Sequence, residues 1–211
     1  MRFSSIIKCS CSDWPGHVAA VLFTQGCNMS CPYCCNYATF TEEPTDFNEV
    51  RAMDILRTLP VDHVVICGGE PTIQPHLIEF IQNLHNIGWH IKLDTNGSNL
   101  DVTEKCLPFL DYIAVDVKTA PDYYKSLTGR FISFLELFHV LDNTSVTVEY
   151  RTTLVQNPWI NIDTISELIP IIGKRKWTFN TQIIKDGYGG EQFPWTAKQI
   201  DELQKTIKEK A

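Results

Sequence analysis

Three closely spaced cysteines are the residues of this chain that point most directly to chemistry. Cys27, Cys31 and Cys34 form a C-x3-C-x2-C run, so their thiolates can face one inorganic centre without help from the rest of the fold. A structural zinc site is closed by four ligands, and an ordinary electron-carrying [4Fe–4S] cluster also uses four cysteines. Three cysteines leave one metal corner open, and an open corner is where a further ligand can bind and react.

Polar residues elsewhere in the chain lie at or just after the ends of predicted strands. These residues are the segments Gly68–Pro71 and Asp94–Gly97, together with Asp116, Lys118 and Arg151. A double glycine permits a strained turn and a close approach of the backbone to a ligand, and an arginine can bind a carboxylate or ribose hydroxyls through charge-assisted hydrogen bonds. The same residues have simpler interpretations, because Asn-Gly is a common turn and many arginines form only surface ion pairs.

Alternating strands and helices are predicted to position these residues. The predicted strands are His17–Phe23, His63–Cys67, Trp89–Leu93, Tyr112–Val117, Val146–Thr152 and Trp177–Ile183. The predicted helices are Phe47–Arg57 with a capping box from Asp46 and Glu49, a helix through Leu77 and Leu84 that ends near Gly88, Ile162–Ile172, and a last helix capped by Thr196 and Gln199.

Strands separated by helices predict βαβ units and a parallel sheet, whose carboxyl edge binds ligands. Six such units are two fewer than the closed eight-stranded barrel requires. The expected fold class is therefore α/β, a partial (β/α)6 TIM-like barrel open on one side. We expect a single domain over residues 1–211, with a core over about 13–185 and a C-terminal helix over about 196–209.

Composition indicates an ordinary soluble protein and excludes several classes. Of the 211 residues, 44% are hydrophobic and 20% are charged. A net charge of −7 argues against a nucleic-acid-binding surface, and no apolar run approaches the ~20 residues of a membrane span. The eight cysteines show no disulfide framework in a chain of this length. We therefore expect a cytoplasmic protein with no signal peptide.

The motifs together resemble a known family. The cysteine run with Tyr33 before its last member, followed by Gly68–Pro71 (GGEP), resembles the radical S-adenosylmethionine (SAM) superfamily. The segments Asp13–Gly16 (DWPG) and Phe23–Cys27 (FTQGC) are similar to the activating enzymes of glycyl radical enzymes, in particular the anaerobic ribonucleoside-triphosphate reductase activating proteins. This resemblance covers the chain from Asp13 to Gln182.

The resemblance implies a specific anaerobic reaction. One [4Fe–4S] cluster would bind to the three cysteines, and its fourth iron would chelate the amino and carboxylate groups of SAM. Reduction of the cluster by a flavodoxin or ferredoxin would cleave SAM to methionine and a 5′-deoxyadenosyl radical, which would take a hydrogen atom from a glycine of a partner glycyl radical enzyme. A monovalent cation would bind near Asp94 and Asp116. No side chain is expected to act as a catalytic acid, base or nucleophile, because the cofactors supply the chemistry.

The resemblance also assigns roles to residues. The metal ligands are Cys27, Cys31 and Cys34, and the residues expected to bind the cofactor are Tyr33, Cys35, Gly68, Gly69, Glu70, Asp94, Asn96, Asp116, Lys118, Arg151 and Gln182. Within this set, Gly68–Glu70 would meet the methionine ammonium group and Tyr33 would pack against adenine. Cys35 departs from the family, which usually has histidine there, and its role stays open, as do those of Cys9 and Cys11.

Two other functions compete with glycyl radical activation. A radical SAM enzyme of this size can act on a small heterocycle, as 7-carboxy-7-deazaguanine synthase does. Alternatively, the cysteines can hold zinc as a knuckle, with a fourth ligand from Cys35 or a distant residue, in a non-catalytic metal-binding or electron-transfer module. The GGEP segment at the end of the next predicted strand favours the enzyme.

Overall fold

Seven strands form one sheet in chain order in the computed structural model, which describes residues 1–37, 46–181, 184–187 and 190–210. The strands are β1 (Phe3–Ser10), β2 (Ala19–Thr24), β3 (His63–Gly68), β4 (His90–Thr95), β5 (Tyr112–Asp116), β6 (Thr147–Thr153) and β7 (Trp177–Asn180). Strand β1 pairs antiparallel with β2, and β2 through β7 are parallel. Because β1 and β7 lie at opposite edges, the sheet is not closed, and the expected open barrel of six parallel strands is confirmed.

At least one helix lies between each consecutive pair of the parallel strands β2 to β7. The helices are α1 (Glu49–Leu56), α2 (Leu77–Asn86), α3 (Leu100–Cys106), α4 (Pro121–Thr128), α5 (Phe134–Asp142), α6 (Ile162–Ser166), α7 (Leu168–Ile172) and α8 (Ala197–Lys210). Two short 3-10 helices span Pro71–Ile73 and Leu107–Phe109, and a separate hairpin joins β8 (Ile184–Gly187) to β9 (Gly190–Gln192). Within the described part of the chain, no helix has both the length and the apolar composition of a membrane span.

The two faces of the sheet bury different side chains. Alternate residues of a strand point to opposite faces, and Leu22, Ile66 and Leu93 are fully buried in the large cluster that includes the helices. A smaller cluster on the other face is formed by Trp14, Ala19, Val21, Val65, Tyr112 and Ala114. This second face, which lies away from the helices, is the inner face of the open barrel.

The structure corrects several predicted elements. Helix α1 is capped by Asn48, whose Oδ1 accepts from the amides of Val50 and Arg51 at 3.1 and 3.2 Å. The predicted cap at Asp46 is wrong, because the Asp46 carboxylate instead accepts from the Arg51 guanidinium at 3.2 Å. The helix predicted over Ile162–Ile172 is divided into α6 and α7 at Glu167.

Other elements were predicted closely or missed. The cap of α8 is confirmed, since the Thr196 amide donates to Gln199 Oε1 at 2.9 Å and the Gln199 amide donates to Thr196 Oγ1 at 3.4 Å. Strand β1, helices α3 to α5 and the hairpin had no prediction. The last predicted strand, Trp177–Ile183, is observed as β7, and its end at Gln182 and Ile183 lies outside the described residues.

Candidate functional site

A cavity of about 310 Å³ lies at the carboxyl ends of the parallel strands. Its lining includes the predicted residues Cys27, Cys31, Tyr33, Cys34, Cys35, Gly68, Gly69, Glu70, Asp94, Asn96, Asp116, Lys118 and Arg151. Gln182 lies outside the described residues. Residues without a prediction also line it, among them Asp13, Asn36, Cys67, Thr153 and Asn180. The tertiary fold therefore brings the cysteine run and the polar strand ends together around one cavity.

The cysteine loop is held by the double-glycine turn after β3. The Gly69 amide donates to the Thr24 carbonyl and the Glu70 amide donates to the Gly26 carbonyl, both at 2.9 Å. A Cβ atom on Gly69 would lie 1.8 Å from the Gly26 carbonyl oxygen, and one on Gly68 would lie 2.3 Å from the Thr24 amide nitrogen. Glycine is thus required here for contact between two backbone segments of the protein, which differs from the expected close approach to a ligand.

Glu70 fixes the geometry of the cavity wall. Its carboxylate is buried and accepts from the Thr72 amide (3.0 Å), the Thr72 hydroxyl (2.5 Å), the Thr95 hydroxyl (2.6 Å) and the Asn96 amide (2.7 Å). Burial raises the pKa of Glu70, although these hydrogen bonds act in the opposite direction. The carboxylate therefore joins the ends of β3 and β4, rather than standing free to meet a ligand charge.

A chain of alternating charges lies at the ends of β4, β5 and β6. Arg151 donates from Nη1 to Asp94 Oδ2 at 2.9 Å and from Nη2 to Asp116 Oδ1 at 3.3 Å. Lys118 Nζ lies 2.9 Å from Asp116 Oδ2, and Lys92 Nζ lies 2.9 Å from Asp94 Oδ1. The three cations and two carboxylates give this network a net charge of +1.

The network keeps Asp116, Lys118 and Arg151 ionised at neutral pH. Burial acts to raise the pKa of Asp116, but Lys118 and Arg151 outweigh it and hold the pKa below its usual value. Burial acts to lower the pKa of Lys118, but Asp116 and the neighbouring thiol and phenol groups raise it well above the ordinary value. In the same way, Asp94 and Asp116 raise the pKa of Arg151 against the effect of burial.

The expected monovalent cation receives no support from this network. All four carboxylate oxygens of Asp94 and Asp116 have a cationic partner from the chain itself. In residues 1–37, 46–181, 184–187 and 190–210, no three side chains of His, Cys, Asp or Glu converge as one metal ion requires. The three cysteines line one cavity.

The donor set fits an iron–sulfur cluster with a polar ligand beside it. Burial raises the pKa of the Cys27 and Cys31 thiols and raises that of Cys34 to about 12, so iron must displace a proton from each thiol when it binds. Among the described residues, Arg151 Nε is a buried donor without a hydrogen-bond partner. Three thiols and an unsatisfied guanidinium N–H around one cavity suit a cluster and a zwitterionic ligand.

Comparison with known proteins agrees with this donor set. The profile of the family described as "Radical SAM superfamily" matches residues 21–149, more than half of the chain. The chain belongs to the radical SAM superfamily. Members are enzymes whose bound cluster and SAM together supply reductive cleavage of the sulfonium, and the three cysteines of this chain are the residues that would hold that cluster.

Two relatives and one solved structure resemble this radical SAM enzyme over most of its length. A Methanocaldococcus jannaschii protein named "Putative glycyl-radical enzyme activating enzyme" is 35% identical over 162 residues, 72% of this chain and 68% of that protein. The pyruvate formate-lyase-activating enzyme of Clostridium pasteurianum is 30% identical over 186 residues, 81% of this chain and 76% of its own. A radical SAM methyltransferase from Sphaerobacter thermophilus shares the fold, with a TM-score of 0.70, 14% identity and coverage of 94% and 65%.

Two predicted cavity residues have surroundings that the sequence did not reveal. Tyr33 is 95% buried and belongs to the large core cluster, so most of its ring packs against protein. Within the described part of the chain its hydroxyl has no hydrogen-bond partner, and burial raises its pKa. Cys35 is exposed at the cavity. Cys9 and Cys11 are also exposed, in β1 and directly after it.

Lys92 is a charged residue of this network that the sequence interpretation missed. Its side chain is 97% buried, and it pairs with Asp94. Two signals were present in the sequence: a lysine inside an apolar predicted strand, and a spacing of two residues from Asp94. That spacing places both side chains on the same face of β4.

Proposed function

We propose that this radical SAM enzyme removes a hydrogen atom from a glycine of a partner glycyl radical enzyme, and that the partner is an anaerobic ribonucleoside-triphosphate reductase. The similarity to two activating enzymes over more than two thirds of their lengths supports the reaction. The reductase as partner rests on the DWPG and FTQGC segments at residues 13–16 and 23–27. We further propose one domain over residues 1–211 and a flavodoxin or ferredoxin as electron donor.

The open edge of the sheet supports a protein as the substrate. The cavity extends to Thr153 and Asn180, at the carboxyl ends of β6 and of the edge strand β7. The chain that follows β6 pairs with the segment before α8, since Gln156 donates from its amide to the Phe193 carbonyl at 2.8 Å. Trp159 and Phe193 expose 36% and 51% of their surface on these two segments. Exposed aromatic side chains on segments next to the open edge of the sheet suit contact with a polypeptide loop of a partner.

The chain's own residues would hold the cofactors. Cys27, Cys31 and Cys34 would ligate the cluster. Asn96, Asp116, Lys118 and Arg151 would bind the polar groups of SAM, and the backbone of Gly68–Glu70 would support them from the adjoining turn. The monovalent cation is left out of this proposal, because the carboxylates expected to bind it are already paired with lysine and arginine.

The first experiment measures SAM cleavage. Anaerobically reconstituted protein is mixed with SAM and a strong reductant, and 5′-deoxyadenosine is quantified. We expect release by the wild type and by Cys9→Ser, which changes an exposed cysteine of β1, and none by Cys31→Ser. A wild-type protein with intact cluster absorbance and no release would contradict the proposal.

The second experiment identifies the acceptor of the radical. Addition of the reductase of the same organism should produce the electron paramagnetic resonance doublet of a glycyl radical in amounts that depend on SAM. Release of 5′-deoxyadenosine without such a doublet would contradict the proposed partner and would favour a small heterocyclic substrate.

A further inference from the structure

Lys92 is a buried cation to which the proposed reaction assigns no role. It lies on β4, and its Nζ donates to the Asp13 carbonyl oxygen at 2.6 Å and forms an ion pair with Asp94 Oδ1 at 2.9 Å. It also lies 5.5 Å from the centroid of the Tyr112 ring, within cation–π distance. Burial of an ammonium group is costly unless the group is paired and hydrogen-bonded. At Lys92 this cost is offset by the charged Asp94 carboxylate and the neutral Asp13 carbonyl.

Both acceptors line the cavity, although Lys92 does not. Asp13 directly precedes Trp14, a residue of the smaller buried cluster, and Asp94 is the penultimate residue of β4. Lys92 thus connects two separate parts of the cavity wall that lie 81 residues apart in sequence. Its contact with any ligand of the cavity is indirect and passes through these two residues.

Asp94 transmits the effect of Lys92 to the ligand-facing guanidinium. Because Lys92 binds Oδ1 of Asp94, the other oxygen is directed to Arg151 Nη1 at 2.9 Å. Asp116 binds Nη2 of the same guanidinium. These two carboxylates restrain the plane of Arg151 and leave its buried Nε–H without a partner among the residues that the structure describes.

We propose that Lys92 is a positioning residue for SAM binding, which fixes Asp94 and thereby holds the Arg151 guanidinium where the cavity needs it. This inference rests on the binding of SAM that superfamily membership implies and is independent of the partner that receives the radical.

The test compares two buried or half-buried lysines that contact the same aromatic ring. Lys92→Met removes the proposed positioning residue. The matched control is Lys176→Met: Lys176 lies 5.1 Å from the Tyr112 centroid and pairs with Glu149 at 3.6 Å, and it does not line the cavity. SAM is titrated calorimetrically into each reconstituted protein. We expect binding to weaken by about ten-fold or more in Lys92→Met, as for loss of a charge-assisted hydrogen bond, and to stay at the wild-type value in Lys176→Met.

A double-mutant cycle tests whether Lys92 acts through Asp94. Asp94→Asn alone should weaken SAM binding, and Lys92→Met should then add little to it, because the path from Lys92 to Arg151 is already interrupted. Additive losses would overturn the proposal. Wild-type affinity in Lys92→Met with a lowered melting temperature would also overturn it, since that result describes a purely structural lysine.

The remaining outcomes are also decisive. Lys92→Met/Asp94→Asn leaves no unpaired buried charge, so it should fold even where Lys92→Met does not. If neither variant folds, the Lys92–Asp94 ion pair is needed for the stability of the fold, and the proposal is overturned. If the wild-type protein binds SAM normally but forms no glycyl radical on the reductase, the proposed function is refuted. The role of Lys92 in SAM binding is unaffected by that result.

Discussion

Replacement of Gly69 by alanine tests the contact that holds the cysteine loop. Gly69 follows β3, and its backbone lies directly against Gly26, the residue before the first cysteine. The added methyl group would meet backbone atoms on a segment that cannot rotate away as a side chain can. We expect Gly69→Ala to displace the cysteine loop and to reduce both stability and iron binding.

The size of the effect follows from the distances. A Cβ at Gly69 would lie 1.8 Å from the Gly26 oxygen, whereas real Cβ contacts essentially never fall below 3.0 Å. A shift of about 1.2 Å relieves the clash, and it stretches the hydrogen bonds from Gly69 to Thr24 and from Glu70 to Gly26, both now 2.9 Å. Two weakened hydrogen bonds and overpacking together cost about 3 kcal/mol. For a chain of this length that loss lowers the melting temperature by about 6–12 °C.

The assay combines thermal unfolding with iron and sulfide analysis of the reconstituted protein. Gly88→Ala is the matched control, because Gly88 has a φ of +89° and no atom within 4 Å of its added Cβ. The control carries backbone strain of about 1–2 kcal/mol but no clash. Gly88 lies just before β4, at the amino ends of the parallel strands and therefore away from the cysteine loop. The control should therefore lose some stability and keep wild-type iron binding. Wild-type iron content and an unchanged melting temperature in Gly69→Ala would refute the reasoning.

Three further predictions follow from the ion pairs and the helix cap. Asp116→Asn should lower the free energy of unfolding at pH 7 by about 2 kcal/mol. Burial alone would raise the pKa of Asp116, but its two cationic neighbours hold it below the usual value, so this difference is complete above the unfolded-state pKa of about 3.9 and shrinks as pH falls through the folded-state pKa. Urea titrations from pH 7 downwards measure it, and a difference that stays constant in acid would contradict the assignment. SAM affinity should be the same in potassium and tetramethylammonium salts, because the chain's own cations occupy Asp94 and Asp116; a several-fold change in a calorimetric titration would show that a monovalent cation is needed. Asn48→Ala should lower the free energy of unfolding, measured by chemical denaturation, by about 1 kcal/mol. Asp46→Ala should lower it much less, because the Asp46 ion pair is exposed. Equal losses in the two variants would indicate that Asp46 caps the helix.

The buried strands were predictable because their signal is local. Strands β3 and β5 are apolar runs bounded by polar residues, as expected when both faces of a parallel strand are covered. Strand β1 has no such run, since it lies at an edge and most of its residues are partly or fully exposed. Its strand conformation depends on antiparallel pairing with β2, a contact that its own sequence does not specify.

The cap of α1 shows the limit of local interpretation. Asp46 and Glu49 have the spacing of a capping box, but Asn48 can also cap a helix. The decision between them depends on where the preceding chain enters. The bridge between Arg2 and Asn48 and the hydrogen bond from the Phe3 amide to the Phe47 carbonyl set that entry, and both involve residues more than 40 positions away.

The amino-acid sequence by itself determined the chemistry of the site. Three cysteines within one short loop can ligate a cluster whatever surrounds them, and the GGEP segment at a strand end identified the superfamily. These signals are local, because ligand spacing and turn residues act within a few positions of the chain.

Only the tertiary structure decided what each polar residue does at that site. Asp116 and Arg151 face each other because the register of β5 and β6 pairs them, and Lys92 reaches Asp13 across the barrel interior. The Glu70 carboxylate is occupied because β3 and β4 are neighbours. Each of these contacts joins residues distant in sequence, and strand register, set by packing over the whole sheet, determines which charges meet.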